Sequence, residues 1–108
     1  MARPLHTQIV ERARALISDK AHWCRLHLAE NSSGVSVFPA SSNVLKRCAL
    51  GALIAAAYEL TRDLDAAWEL AHNALRSHAG PATLIEVNDG RGHGAVLALF
   101  DEVIAAGQ

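Results

Sequence analysis

The sequence has little of what would assign it quickly to a class. Aromatic residues make up 5% of its 108 residues, and it carries two cysteines, three prolines and one methionine. Two cysteines cannot build the disulfide framework of a small secreted domain. Ten Lys and Arg against eleven Asp and Glu leave a net charge of −1, so the field that draws a protein to nucleic acid is missing. The longest apolar run, residues 48–58, falls well short of the roughly 18 residues that suggest a membrane span. Met1-Ala2-Arg3-Pro4 leads into an amphipathic segment without the apolar stretch of a secretory signal. The expected location is the cytoplasm, with Cys24 and Cys48 as free thiols. No cofactor motif is apparent and none is expected.

What is present favours helices. Half of the residues are apolar, mostly Ala and Leu, which lose little rotamer freedom in a helix. The length suits one domain over residues 1–108. Charge is unevenly spread: residues 1–58 hold seven basic and three acidic side chains, residues 59–108 three basic and eight acidic. The two halves can attract each other within the fold or across a homodimer.

A first helix is predicted over 5–18, with Leu5, Ile9, Ala13, Leu16 and Ile17 on one stripe and Pro4 at its start. A shorter helical piece follows over 20–29, able to carry Trp23, Leu26 and Cys24 inward, then a loop at Asn31-Ser32-Ser33-Gly34 and an extended segment through Val35, Val37 and Phe38. Ser41, Ser42 and Asn43 are candidate caps for a central helix over 44–60, apolar on all sides and therefore buried. Gly51, costly in mid-helix, predicts the close approach of another helix. Asp63 or Asp65 caps a third helix over 64–77, on which Trp68 and His72 stack one turn apart. Residues 83–87 suggest a short strand able to pair with 35–38, and Asn88-Asp89-Gly90 a turn. The last helix, over 94–106, turns Val96, Leu97, Phe100, Val103 and Ile104 to one face.

Cys48-Ala49-Leu50-Gly51-Ala52-Leu53, opening the apolar helix, and Asn88-Asp89 ahead of a closing Val-Leu-Ala-Leu-Phe-Asp helix carry a resemblance. From about residue 5 to 105 the chain resembles a family of small bacterial and phage proteins catalogued only as a domain of unknown function. The resemblance implies a helical fold with this motif layout and brings no activity. Relatives often place Thr and Glu after Asn-Asp, where this chain has Gly90-Arg91-Gly92-His93-Gly94.

Four sets of residues could carry chemistry. Cys48 follows Lys46 and Arg47, whose charge would lower a thiol pKa, and His93 with Asn88 or Asp89 could complete a thiol hydrolase or transferase. The small apolar residues around Cys48 suit a core cysteine equally well. His22, Cys24 and His27 cluster, but no second group completes a zinc-like set, so no metal is expected. Gly90, Gly92 and Gly94 with Arg91 could hold an anion ahead of a helix, or simply permit a tight turn. Asn88 and Asp89 either build an Asx turn or form, with Trp23, the polar floor of a ligand pocket.

The fold expected is all-α or nearly so: a bundle of four main helices around the buried central one, with one short two-stranded β pairing. The leading functional expectation is a non-enzymatic binding or interaction module, with homo-oligomerisation open and its partner not readable. The alternative is the Cys48 enzyme. Only Arg3, Arg12 and Arg14 speak for nucleic acid.

Overall fold

The computed structural model describes residues 3–75 and 78–107. The predicted opening at Met1-Ala2 and the predicted end of the third helix at Ser77 lie outside the described residues. Five α-helices account for most of the chain: α1 (Leu5–Ile17), α2 (Ala49–Thr61), α3 (Leu64–Asn73), α4 (Pro81–Glu86) and α5 (His93–Ala106). Two short strands, β1 (Ala29–Glu30) and β2 (Lys46–Arg47), pair antiparallel, with Ala29 opposite Arg47 and Glu30 opposite Lys46. The nearly all-α architecture expected from the composition is what the chain forms.

The apolar run behaves as its lack of a polar face requires. All nine residues from Ala49 to Ala57 are buried, and α2 packs chiefly against α1 and α3. α1 presents Ile9, Val10, Ala13 and Ile17 to it, while α5 closes over α1 with Val96, Phe100 and Val103 buried. Leu5, placed on the inner stripe by periodicity, lies exposed at the helix start. Arg12 on α1 forms an ion pair with Glu59 at 2.7 Å, and Arg14 reaches Asp101 on α5 at 2.6 Å. Part of the attraction between the basic and acidic halves is thus satisfied inside one chain. No helix among the described residues is long and apolar enough to cross a membrane.

Three local expectations are corrected. The helical piece over 20–29 reduces to a single 3-10 turn, Lys20–His22, capped by Asp19. Trp23, whose N–H closes the turn on Lys20 O at 3.2 Å, is extended and bridges Arg47, and Cys24 N–H donates to Arg47 O rather than along a helix. The central helix begins at Ala49, and its cap is Cys48 instead of Ser41, Ser42 or Asn43. Residues 44–48 are drawn into the strand pairing, with Leu45 donating to Glu30 O and Cys48 to Leu28 O. Finally, residues 83–87 are helical: Pro81 sets the first turn of α4 and only Leu84 turns inward. The alternation of Thr83, Ile85 and Val87 imitated a strand, but tertiary context overrides such a signal. The extended segment at 35–38 instead folds back on β1, with a bridge between Ser36 and Glu30 and a bond from Val37 N–H to Ala29 O.

The approach to Gly51 is close, as expected, but Gly51 lies in the first turn of α2 rather than in mid-helix, and the neighbour is a loop. A Cβ at Gly51 would collide with the carbonyl of Leu28. Asp63 proves to be the cap of α3, accepting from Ala66 N–H at 3.2 Å. Trp68 and His72 do stack, with ring centroids 5.6 Å apart.

Candidate functional site

Three segments meet at the N-terminal end of α2: the loop from Trp23 to Leu28, the start of α2 itself, and the turn after α4. That turn, Val87–Arg91, is a π-helical widening of α4. It ends at Gly92, whose φ of 98° lies in the region open mainly to glycine. Gly92 N–H closes the turn on Val87 O at 3.1 Å, so this amide is not available to an anion. Widening the helix aims Asn88 into the core rather than along its own backbone.

Asn88 holds the three segments together. Its Oδ1 accepts from Trp23 Nε1–H at 2.7 Å and from Ala49 N–H at 2.9 Å. Its Nδ2 donates to Cys24 O at 3.1 Å and to Asp89 Oδ1 at 3.0 Å. An Asn amide has two acceptor sites and two donors, and all four are used. The Asx turn expected here is therefore replaced by long-range bonds, and Asn88 is satisfied without a ligand. Asp89 extends the same network, since its Oδ1 also accepts from Leu26 N–H at 3.2 Å.

Cys48 Sγ accepts from Gly51 N–H at 3.3 Å, which makes it the cap of α2. Only 6% of the residue is exposed. Burial pushes its thiol pKa up, and the bonds from backbone N–H groups at the helix start counter this only in part. Cys24, buried beside it, donates Sγ–H to His27 O at 3.5 Å. Burial, reinforced by Glu30, pushes its pKa up to about 12.

The sequence placed His93 beside Cys48, but its Nε2–H donates to Ile17 O at 2.6 Å and its ring lies 5.4 Å from that of Trp23. Among the described residues no hydrogen bond joins His93 to Cys48. Arg25 covers the same indole, its guanidinium carbon 5.2 Å from the ring centroid. Trp23 is buried, so it acts as a joint between segments rather than an open ligand wall. His22, Cys24 and His27 do not converge: among the described residues no group of three His, Cys, Asp or Glu could hold a metal ion.

Cys48, Asn88 and Asp89 do share a cleft, of about 110 Å³. Its other walls are Leu26, His27, Leu28, Leu50 and Ile85. Leu26 is the unusual member: its φ is 71°, and it is 82% exposed. A left-handed backbone costs a non-glycine residue roughly 1–2 kcal/mol. The bond from its N–H to Asp89 helps hold it there. The inward position expected of Leu26 on a helix over 20–29 is thus overturned, because that helix does not form and nothing in the sequence marks a left-handed leucine; Ile85, the other rim residue, was missed. His27 was noticed only as a metal candidate.

The profile of a family described as "Family of unknown function (DUF6197)" matches residues 1–106 of this chain. Comparison with curated proteins and with solved structures gives no match.

Proposed function

We propose that this chain, which belongs to the Family of unknown function (DUF6197), is a non-enzymatic binding module whose site is the cleft at the start of α2. The observation that carries this reading is Leu26, held in a left-handed conformation at the rim with most of its side chain in solvent. It contributes little to the core, and its backbone conformation is unfavourable. A partner group entering the cleft would bury it together with Ile85, which is 44% exposed.

The walls suggest what that group is. A cavity of about 110 Å³ is smaller than the roughly 150 Å³ that accommodates benzene, so it takes a group the size of one aliphatic side chain. Asn88 is saturated, which leaves Asp89 Oδ2 as the polar anchor; no hydrogen bond to that atom is present among the described residues. A branched aliphatic group carrying an amine or amide donor suits both features.

Titration of the labelled protein with isobutylamine and with isobutanol, followed by amide chemical shifts, tests this. Saturable shifts at Leu26, Cys48 and Asp89, larger for the amine, are expected. Shifts scattered over the surface with no saturation would reject it.

A second reading keeps Cys48 as the nucleophile of a hydrolase or transferase, with Asp89 beside it in the cleft. Its sharing of that cleft is the observation in favour; its burial and raised pKa stand against. Rapid alkylation of Cys48 by iodoacetamide in the folded protein at pH 7 would support it over the first.

A further inference from the structure

Trp23 and Arg47 are joined by a parallel bridge, and Cys24 N–H donates to Arg47 O at 3.1 Å. The position after each bridged residue is a cysteine. Each segment is extended at this point: Trp23, just before Cys24, has φ −112° and ψ 143°, and Cys48 has φ −79° and ψ 177°. In a parallel pair, residues in register point to the same side of the ladder. Cys24 and Cys48 therefore stand abreast with their side chains on one face. Neighbouring strands lie about 4.8 Å apart, within the roughly 4.4–6.8 Å between Cα atoms that a disulfide requires. Asn88 fixes this arrangement by bonding to Cys24 O and Ala49 N–H at once. Both cysteines are free and buried.

We propose that Cys24 and Cys48 form a redox couple, a dithiol that a small peroxide oxidises to an intramolecular disulfide without refolding. The inference does not depend on what the cleft binds. Cys48 reacts first, because it lines the cleft whereas Cys24 does not. Its sulfur attacks one oxygen of hydrogen peroxide. The O–O bond breaks, the second oxygen leaves as water with the thiol proton, and Cys48 becomes a sulfenic acid. The Cys24 sulfur then attacks the Cys48 sulfur; the S–S bond forms, the S–O bond breaks, and the hydroxyl leaves with the Cys24 proton as a second water. Two thiols and one peroxide yield one disulfide and two waters, the two electrons passing from sulfur to the peroxide oxygens. Burial keeps both groups as thiols near neutral pH, so oxidation is slow there and accelerates as pH rises.

The test treats the folded, fully reduced chain with hydrogen peroxide at pH 7 and pH 9, followed by alkylation in denaturant, intact mass and non-reducing peptide mapping. A monomer lighter by two hydrogen atoms is expected, with one Cys24–Cys48 linked peptide, faster formation at pH 9 and full reversal by dithiothreitol. A Cys24→Ser variant should stop at a Cys48 sulfenic acid that dimedone traps, and Cys48→Ser should leave Cys24 unreacted. Formation of the link only in denaturant overturns the proposal. So does the appearance of sulfinic acid or intermolecular dimers in its place.

Discussion

Trp23 Nε1–H donates to Asn88 Oδ1 at 2.7 Å across 65 positions of sequence, inside the core. This bond is one of three by which Asn88 ties the 23–28 loop and the first residue of α2 to the turn after α4. Replacing Asn88 by Ala would strand the Trp23 and Ala49 donors and the Cys24 carbonyl. Each buried group left unpaired costs roughly 1–3 kcal/mol, so urea unfolding of Asn88→Ala should show a loss of about 3–5 kcal/mol. Asn88→Asp keeps the acceptor but loses the donors, and should fall between. An Asx-turn role predicts near-neutrality for Asp, so an Asp variant as stable as wild type would refute the clasp.

Gly51 gives the second prediction. Gly51 lies in the first turn of α2, and Gly to Ala within a helix normally gains up to ~1 kcal/mol. Here the added methyl would meet the Leu28 carbonyl, a backbone atom held by its bond from Cys48 N–H. Gly51→Ala should therefore destabilise by more than ~2 kcal/mol, through strain and the loss of that bond. Gly51→Leu should be worse still. A Gly51→Ala protein that melts at or above the wild-type temperature would contradict the packing described.

These two residues also show how far the sequence could be read. The helices were legible where apolar residues run all round, as in α2, or recur on one face, as in α5. The loop between α1 and α2 was not, because a handful of long-range bonds to Arg47 and Asn88 decides its path and none leaves a periodic trace. Gly51 signalled a close approach without saying to what. Asn88 and Asp89 were singled out, but an Asn-Asp-Gly triplet carries the same letters whether its side chains turn back locally or span the core. Of the residues singled out for thiol chemistry, Cys48 and Asp89 line one cleft, while His93 is held by Ile17 on the Trp23 side.

Alkaline titration supplies a third prediction. Cys24 ionises with a pKa raised from its ordinary 9.0 to about 12, and Cys48 is shifted in the same direction. Above about pH 9 the unfolded chain releases these protons while the folded chain retains them. Stability conferred by the neutral buried thiols is thus fully present below that pH and is lost as pH rises towards 12. Thermal unfolding of the reduced protein should shift to lower temperature across this window, and less so in Cys24→Ser. An equal shift in wild type and variant would assign the alkaline loss to other groups.

Leu26 distinguishes a residue kept for stability from one kept for binding. Removing its side chain forfeits little burial, since the residue is 82% exposed. Glycine at φ 71° relieves the roughly 1–2 kcal/mol that a left-handed backbone costs leucine. The greater freedom of glycine in the unfolded chain takes back about 0.4–1 kcal/mol. Leu26→Gly should therefore be as stable as wild type, or more stable by up to ~1.6 kcal/mol. The same variant should weaken isobutylamine binding at least severalfold, because one wall of the cleft is gone. Loss of stability together with unchanged binding would make Leu26 a structural residue and remove the main support for a binding site at the start of α2.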